Sequence, residues 1–559
     1  MDTKNVLLAV ILSTIVLIFW ALFFEAPIVE NEINKNEITK NEDKSTPSIV
    51  EIEKTKKISR NEAIKGVERI KLENENIEGS ISLEGGVIDD VVFKNYKKSL
   101  KSEERVIFLN PKNSADGYYI ETGWASSGGE ALNLPLDKTV WNVIGNKTLT
   151  PNNPVVLEWD NNEGLVFTKK IELDEKFLFK ITQSIKNNST NSFQFFPYAQ
   201  ITRNYKPEVT PIYILHEGFI GVFGEELKEK DYKDIEDEKF VTNSSKGWLG
   251  ITDKYWLTAI VPEKGKNFKS EFLSKNEKYR ANFIIKEPII LNPNSQVTNE
   301  INAFVAAKEV SVIDMYAKKL AIEKFDLAID WGWFYFFTKP LFFIIDYFFR
   351  MTGNFGMAIV IITALVRLIF FPLANYSFRS MAKMKVLQPE MIRLKELHKD
   401  DKVKLQQEMM ALYKREKVNP VSGCLPVLIQ IPFFFAIYKM LYVTLEMRHQ
   451  PFFGWIEDLS ARDPTSIFNL FGLIPWDPPT FLMIGAWPIL MGLSMYLQQK
   501  LNPTPPDPIQ AKIFMFFPLF LTIILAPFPS GLVVYWTINN ILTIAQQWVI
   551  MRGTKVKTV

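Results

Sequence analysis

The chain alternates between long uncharged apolar runs and stretches with regularly spaced polar residues. Residues 6–24 form the first run, 19 residues without a charge between Lys4 and Glu25. A helix needs about 20 residues to cross a bilayer, whereas the apolar core of a secretory signal is only about 7 to 15 residues long. No A-x-A cleavage site follows. The pattern favours an uncleaved signal-anchor helix over residues 1–24, with a cleaved signal peptide as the alternative.

Four more apolar stretches follow residue 350. The last of them, from residue 513 to residue 550, is too long for one span. The segment Ala526–Gly531 interrupts it with two prolines and a glycine, which end helices and form turns. We therefore expect two helices there and six spans in total. The five spans after residue 350 are predicted over residues 351–375, 420–445, 481–500, 513–529 and 530–550.

An aromatic segment precedes the first of these spans. Eleven aromatic side chains lie between residues 331 and 349, interrupted by Lys339, Pro340 and Asp346. Aromatic rings favour the headgroup layer of a membrane, and the charges and the central proline count against a crossing helix. We predict an amphipathic interfacial helix over residues 331–350, along the outer surface. A transmembrane helix is the alternative.

Residues 61–330 follow a different pattern, in which apolar and polar residues alternate. Phe177, Phe179 and Ile181 are one example, and similar short runs recur through the region. A period of two is typical of half-buried strands, and about 250 residues of such strands predict one large antiparallel β-sandwich. The preceding residues 25–60 hold 15 charged residues and no aromatic one. Such a segment cannot bury a core, which predicts a disordered linker.

Charge is distributed unevenly, although the whole chain has 65 Lys and Arg against 63 Asp and Glu, a net charge of +2. Residues 25–330 have a net charge of −7, and the rest of the chain has +9. The loop 376–419 contains 11 Lys and Arg, whereas the loop 446–480 contains two. Short basic loops stay in the cytoplasm. We therefore place the loop 376–419, the loop 501–512, the basic tail 551–559 and the N-terminus in the cytoplasm. Residues 25–330 and the loop 446–480 then lie outside the cytoplasm.

The basic loop 376–419 predicts an antiparallel helical hairpin, with helices over Ser377–His398 and Lys402–Lys417. Methionines at helical spacing would fill the seam between the helices, which is the more common role, or form a surface that accepts varied apolar partners. The lysines would reflect topology alone, or bind anionic lipid or ribosomal RNA. The residues singled out in this hairpin are Met381, Met384, Met391, Met409, Lys383 and Lys385.

Arg367 is the sharpest anomaly, because it lies inside a predicted span. A charge at mid-bilayer depth costs about 2.5 to 3.5 kcal/mol, so it usually faces a bundle interior or a water-filled cavity and marks a functional pathway. The alternative is that Arg367 snorkels to the cytoplasmic headgroups. Thr363 lies one turn earlier on the same helical face, which favours a polar stripe. The other spans offer the uncharged polar side chains Gln430, Asn539, Asn540, Gln546 and Gln547.

Several kinds of protein are excluded or disfavoured by absent residues. The predicted spans contain no Asp or Glu, which argues against a proton-coupled pump and against an intramembrane aspartyl or zinc protease. Cys424 is the single cysteine, so an internal disulfide is excluded and a Cys-based zinc site is disfavoured. His216 is the sole histidine of residues 61–330, and no G-x-x-x-x-G-K-[ST] nucleotide motif occurs. We expect no enzyme activity, no cofactor and no metal site.

Three stretches of sequence are specific enough to indicate a family. They are GSISLEGGVIDDVVFKNYK at residues 79–97, the stretch 381–441 that begins MAKMKVLQPEM, and FPSGLVVYWTINNILTIAQQWVIMR at residues 528–552. Together they closely resemble the YidC family of bacterial membrane protein insertases, in its Gram-negative form with a large periplasmic domain. The resemblance covers nearly the whole chain in the same order.

The resemblance implies a polytopic α-helical protein of the bacterial inner membrane with an all-β periplasmic supersandwich, a fold similar to sugar-binding and mutarotase-like domains. Five of the six helices would form a core around a hydrophilic groove, open to the cytoplasm and to lipid but closed outward. Some relatives have Tyr where this chain has Trp536, so a hydroxyl at that position is not part of the mechanism here. The groove residues are then Arg367, Thr363, Gln430, Tyr535 and Trp536, with Asn540 added by its i, i+4 spacing from Trp536.

The expected function is membrane protein insertion and chaperoning, alone or with the Sec translocon. The resemblance implies nascent membrane proteins, the ribosome, the Sec translocon and membrane lipids as partners, and no specific DNA binding is expected. The main alternative is a transporter or channel in which Arg367 binds an anionic solute; it would predict an internal repeat, and the sequence has none. A second alternative is a membrane-anchored sensor whose outer domain binds a sugar.

Overall fold

The computed structural model of the chain describes most of the sequence after residue 57. The predicted signal-anchor, almost all of the predicted linker, Trp333, Cys424 and the end of the predicted basic tail lie outside the described residues. The described residues are 58–126, 132–209, 215–332, 334–399, 401–419, 425–476, 478–479, 482–502 and 508–553.

The region from residue 69 to residue 307 consists mainly of β-strands. The strands are β1 Arg69–Glu73, β2 Ile77–Ser82, β3 Val87–Lys97, β4 Arg105–Leu109, β5 Tyr118–Ser126, β6 Asn142–Ile144, β7 Thr148–Leu149, β8 Val155–Asp160, β9 Leu165–Leu173, β10 Leu178–Asn187, β11 Phe193–Arg203, β12 Gly218–Phe223, β13 Glu226–Lys230, β14 Phe240–Ser244, β15 Gly247–Thr252, β16 Trp256–Val261, β17 Phe268–Lys275, β18 Lys278–Ile285, β19 Ile289–Leu291 and β20 Gln296–Ala307.

These strands form two sheets that share one core. The 11-stranded sheet has the order β14-β17-β18-β11-β5-β3-β2-β1-β7, with β19 beside β11 and β4 beside β3, and the nine-stranded sheet has the order β13-β12-β15-β16-β20-β10-β9-β8-β6. Phe93 of one sheet stacks on Trp256 of the other, with ring centroids 4.8 Å apart, and Phe167 meets Phe195 across the same core at 6.2 Å. The β-rich domain that the alternating pattern predicts is confirmed.

Strand β9 illustrates why the period-two pattern gives this fold. Its residues alternate between buried and half-buried along its whole length, so one face enters the core. Lys169 occupies an inward position on that face, where its Nζ donates to the Thr122 carbonyl at 2.7 Å and lies 4.9 Å from the Trp141 ring centroid. Burial lowers the pKa of Lys169 to about 8. A buried amine is tolerated here because backbone carbonyls satisfy its hydrogen bonds.

The chain after residue 307 is helical, and the helical C-terminal region is also confirmed. Two short helices belong to the β-sandwich domain, and the others follow it. The helices are α1 Arg60–Lys65, α2 Tyr232–Asp237, α3 Val310–Lys319, α4 Tyr335–Thr352, α5 Phe355–Ile369, α6 Phe371–Leu397, α7 Lys402–Arg415, α8 Leu425–Val443, α9 Ala486–Leu501, α10 Pro508–Leu525 and α11 Ser530–Gly553.

Helices α5 and α6 form a bent pair. Pro372 lies in the first turn of α6, where a proline is well accepted because the first backbone N–H groups have no partner within the helix. The axes of the two helices differ by 68° at the break between them. Among the described residues, no single helix meets the length and composition that a membrane span requires, whereas this bent pair meets them together.

Polar contacts attach the β-sandwich domain to the helical region. Lys439 Nζ of α8 forms a 2.7 Å ion pair with Asp330, just after the sandwich. Arg448 Nη2, beyond the end of α8, donates to the carbonyls of Lys97 and Lys98 at 2.7 and 3.0 Å. Both contacts join α8 or its extension to the sandwich, so the position of α8 is fixed relative to that domain.

Glu446 makes a further contact, with helix α3, which directly follows the sandwich. Its Oε1 accepts the Val310 N–H at 2.6 Å, at the N-terminus of α3, where a negative charge meets the positive end of the helix dipole. Burial nevertheless raises the pKa of Glu446 to about 7, and the nearby carboxylates of Glu309 and Asp346 add to the increase. The carboxyl group therefore takes up a proton on folding at mildly acidic pH.

Replacing Glu446 with Gln tests this assignment. Between about pH 4.5 and about pH 7 the folded chain holds a proton at Glu446 that the unfolded chain has released, so this group contributes less stability as the pH rises through that window. We expect the free energy of unfolding to fall by at most about 1.4 kcal/mol per pH unit from this source. The Glu446→Gln protein should lack this component in calorimetric unfolding of the detergent-solubilised chain.

Glu457→Gln is the matched control, because Glu457 belongs to the same loop and is exposed. It should retain the wild-type pH dependence. Identical pH profiles for wild-type and Glu446→Gln proteins would contradict the raised pKa.

Candidate functional site

A cavity lies between α4, α5, α8 and α11, next to the start of α6. It encloses about 590 Å³ of space, part of it open to solvent. Most of its wall is apolar, and a few polar side chains converge on Arg367. The lining residues are Leu341, Ile362, Thr363, Val366, Arg367, Phe370, Leu373, Ala374, Gln430, Phe433, Ile437, Tyr535, Asn539 and Gln546.

Two amide oxygens hold the guanidinium of Arg367, whose side chain is half-buried. Nε and Nη2 both donate to Asn539 Oδ1, at 3.0 and 2.6 Å, and Nη2 also donates to Gln430 Oε1 at 3.2 Å. Hydrogen bonds from a charged donor are stronger than those between neutral groups. The arginine therefore ties α5 to α8 and to α11 at one point.

The charge of Arg367 is solvated but not cancelled. None of the described residues that line the cavity carries a carboxylate, so the positive charge has only dipolar partners there. Within the described part of the chain, Gln546 Oε1 is buried and has no hydrogen-bond partner. The cavity thus offers a positive potential, with a buried amide oxygen that lacks a partner in the same wall. This combination suits a hydrated polar or acidic segment better than an apolar one.

Thr363 and Tyr535 are buried in the same wall. The Thr363 hydroxyl donates to the carbonyl one turn earlier in α5 at 2.6 Å, so only its lone pairs are available to a ligand. Tyr535 is 3% exposed and lies one helical turn from Asn539 on the same face of α11. The structure brings four of the residues chosen from the sequence, Arg367, Thr363, Gln430 and Tyr535, to a single cavity.

Trp536 and Asn540 are not among the residues that line this cavity. Trp536 packs edge-on against Phe434 with ring centroids 4.9 Å apart, and Asn540 Nδ2 donates to Ser494 Oγ of α9 at 3.0 Å. Trp536 and Asn540 are four positions apart and share one face of α11. Tyr535 precedes Trp536 by one position, which is about 100° around the helix, so it lies on a different face.

Asn539 is the main partner of Arg367, whereas the groove expected from the sequence contains its neighbour Asn540. Both side chains are buried to the same degree. A helical stripe in the sequence marks the correct face, because Tyr535, Asn539 and Gln546 are spaced by four and seven residues. All three line the cavity.

The hairpin of α6 and α7 divides its methionines between the seam and the surface. Met391 is buried at the seam, where its Sδ lies 4.0 Å from the Tyr413 hydroxyl. Arg415 of α7 pairs with Glu390 of α6 at 2.7 Å across the hairpin. Met391 is therefore a packing residue. Met381 packs partly buried near Phe378, Met384 and Met409 are half-buried, and Lys383 and Lys385 are exposed.

Two family models match the chain over adjoining regions. The model of the YidC periplasmic domain matches residues 69–344, and the model of the 60Kd inner membrane protein matches residues 347–557. The first region covers the β-sandwich domain and the start of the helices, and the second contains Arg367 and its partners.

Relatives match over the full length. The chain is 57% identical to the membrane protein insertase YidC of Pelagibacter ubique (strain HTCC1062), with 100% of both chains covered. It is 46% identical to the membrane protein insertase YidC of Methylorubrum extorquens (strain PA1), covering 89% of this chain and 83% of that one. A crystal structure of an active YidC insertase aligns over 85% of this chain and 91% of the other, with 17% sequence identity and a TM-score of 0.35. The chain therefore belongs to the YidC family, as a membrane protein with a periplasmic domain.

Proposed function

We propose that this chain is a membrane protein insertase and chaperone, which passes nascent transmembrane segments through a hydrophilic, lipid-open groove into the bilayer. One observation carries the proposal. Arg367 lies between apolar helices in a cavity where, among the described residues, no carboxylate neutralises it. The relatives at 57% and 46% identity are named as membrane protein insertases, which supports the same function.

The proposed topology has six spans, five of which form the core around the cavity. The β-sandwich domain lies in the periplasm, and both termini and the hairpin lie in the cytoplasm, with the domain boundaries expected from the sequence. Helix α10 supports this arrangement, because Ile513, Phe516, Leu519 and Ile523 on its surface are all more than half exposed. Exposed apolar surface of this extent is costly in water and fits contact with lipid.

The substrate enters from the cytoplasmic side in this mechanism. The exposed lysines of the hairpin and its half-buried methionines meet the nascent chain, and a polar segment then enters the cavity. There Arg367 attracts acidic residues of that segment. Two opposite charges 4 Å apart interact by about 4 kcal/mol at an effective dielectric constant near 20. This attraction offsets part of the desolvation of the polar segment.

Partitioning of the apolar segment into lipid completes the insertion. Each apolar residue contributes a few tenths of a kcal/mol on the insertion scale, so a span of about 20 residues gains several kcal/mol. The proposed mechanism involves no bond chemistry, nucleotide or cofactor. The ribosome and the Sec translocon are the proposed partners on the cytoplasmic face and within the membrane, and the basic hairpin suits contact with ribosomal RNA.

Depletion of the protein tests the function directly. Cells depleted of this chain should fail to insert a short single-span substrate with an acidic translocated tail, as followed by protease protection of that tail. Normal insertion after depletion would refute the proposal. That result would leave a transporter as the alternative, although the relatives are named as membrane protein insertases.

Arg367→Ala tests the role of the charge. The variant should impair insertion of substrates with acidic tails about tenfold more than that of substrates with neutral tails, equivalent to about 1.4 kcal/mol of lost attraction. Insertion into vesicles that contain the purified variant measures both substrates in parallel. Arg367→Lys retains the charge and should preserve the preference. Equal losses for both substrates would mean that Arg367 acts through structure or hydration alone.

Asn539→Asp tests the same charge without removing the arginine. The new carboxylate would stand within hydrogen-bond reach of Arg367 and cancel its charge at almost constant volume. We expect acidic-tailed insertion to fall on the order of tenfold while neutral-tailed insertion changes little. Asn540→Asp is the matched control, equally buried but bonded to Ser494. The proposed role of the charge is refuted if both variants, at equal levels of folded protein, show the same loss of insertion for both substrates.

A further inference from the structure

The loop between α8 and α9 carries an apolar projection, residues 467–476, which we term the apolar tip. Its sequence, IFNLFGLIPW, contains no charged residue. Six large apolar side chains in it are strongly exposed: Phe468 41%, Leu470 53%, Phe471 52%, Leu473 84%, Ile474 43% and Trp476 46%. Their combined surface is on the order of a few hundred Å², the size at which an exposed apolar patch marks an interaction site.

Several backbone groups of the apolar tip are paired within the loop. The Phe471 N–H donates to the Ser466 carbonyl at 2.7 Å, and the Ile474 N–H donates to the Asn469 carbonyl at 3.0 Å. The Asn469 side chain, the sole polar side chain of the tip, donates to the Trp476 carbonyl at 3.3 Å. A segment that enters an apolar medium needs such internal pairing, because lipid offers no replacement for water.

The tip is also held in an unusual conformation. Leu470 and Phe471 are consecutive non-glycine residues in the left-handed region, with φ of 49° and 58°. L-residues with side chains rarely adopt this conformation because Cβ approaches the carbonyl oxygen. The loop therefore maintains a defined shape that presents apolar side chains outward instead of collapsing onto the domain.

Asp463 fixes the stem of the loop to the beginning of α9. Its carboxylate is buried and accepts the Trp487 N–H at 2.9 Å, the Thr465 N–H at 3.0 Å and the Trp455 Nε1–H at 3.1 Å. Gly485 permits this approach, because a Cβ there would lie 2.4 Å from Asp463 Cγ. The tip therefore projects from the N-terminal end of α9 at a fixed level.

Helix α9, which follows the loop, also exposes apolar side chains. Leu490, Leu493 and Leu497 are 42%, 53% and 50% exposed and lie on one helical stripe. Trp476 in the tip and Trp455 beside its stem carry indole rings that are 46% and 42% exposed, and tryptophan is enriched where hydrocarbon meets headgroups. A protein interface of this size would carry a polar rim with several hydrogen-bonding side chains, whereas the tip has the Asn469 amide, already bonded within the loop, and the Trp476 indole N–H.

We propose that the apolar tip inserts into the outer leaflet of the membrane, with acyl chains and the headgroup boundary of phospholipid as its ligand. Shallow insertion of this kind reaches about 5–10 Å below the headgroups. The tip anchors the outer end of α9 and fixes the depth of the helices around the cavity. The proposal rests on the topology given above, in which this loop lies outside the cytoplasm.

A depth measurement on the full chain tests the proposal. In a Cys424→Ser background, Leu473→Cys carries an environment-sensitive nitrobenzoxadiazole label, and the protein is reconstituted in phosphatidylethanolamine and phosphatidylglycerol vesicles. Lipids with a nitroxide on the headgroup, the fifth acyl carbon or the twelfth acyl carbon act as quenchers. We expect blue-shifted emission and the strongest quenching by the nitroxide on the fifth carbon. Ile474→Cys provides a second labelled position on the tip.

Two controls make the result specific. Ile290→Cys lies on β19 of the sandwich, is 57% exposed and should remain unquenched. Leu493→Cys on α9 should be quenched if α9 crosses the bilayer. Quenching at Leu493 without quenching at Leu473 and Ile474 would overturn the tip proposal. Blue-shifted tip emission that no lipid nitroxide quenches would also overturn it, because the tip would then be covered by protein, a second copy included.

The same vesicles separate this proposal from the proposed function. Insertion of the acidic-tailed substrate is measured on the labelled proteins. Tip quenching without insertion would leave lipid anchoring intact and remove the insertase role. Insertion without tip quenching would leave the insertase role intact and refute lipid anchoring by the tip.

Discussion

Solvation of one guanidinium by neutral amides is the constraint around which the helical region is arranged. A cation among apolar helices is stable only if its donors are satisfied. Arg367 pairs its Nε and Nη2 donors with Asn539 and Gln430, which α11 and α8 supply from distant parts of the sequence. The two helices must therefore place the amides of Asn539 and Gln430 at the same level as Arg367. A shift of one residue in either helix would turn its amide away from the guanidinium.

The same constraint extends to the β-sandwich domain through α8. Gln430 and Lys439 lie nine positions apart in this helix, about 13 Å along its axis. Gln430 bonds the arginine at one level, and Lys439 pairs with Asp330 at the other. The contact with Asp330 and the contact in the cavity therefore involve the same helix, which contains Pro432 between them. The depth of Gln430 in the helical region is thus set partly by the ion pair between Lys439 and Asp330.

The sequence alone predicts whatever depends on local periodicity. The strands of the sandwich follow from alternation, and Arg367 and Thr363 follow from a charge one turn from a polar residue within an apolar run. Periodicity does not fix the absolute rotation of a helix, so the sequence does not show which of the neighbours Asn539 and Asn540 contacts Arg367. The contact of Glu446 with Val310 joins residues 136 positions apart and leaves no local signal. The start of α6 at Phe371 was likewise missed, because the apolar pattern runs through the bend.

The amide partners of Arg367 also determine how the cavity returns to its starting state. A permanent carboxylate partner would compete with every acidic segment that arrives, and its pairing would have to be broken each time. Asn539 and Gln430 are weaker partners that yield to a carboxylate and recover the guanidinium when the segment leaves. In the proposed mechanism, departure of the segment therefore restores these hydrogen bonds and leaves the guanidinium ready for the next client.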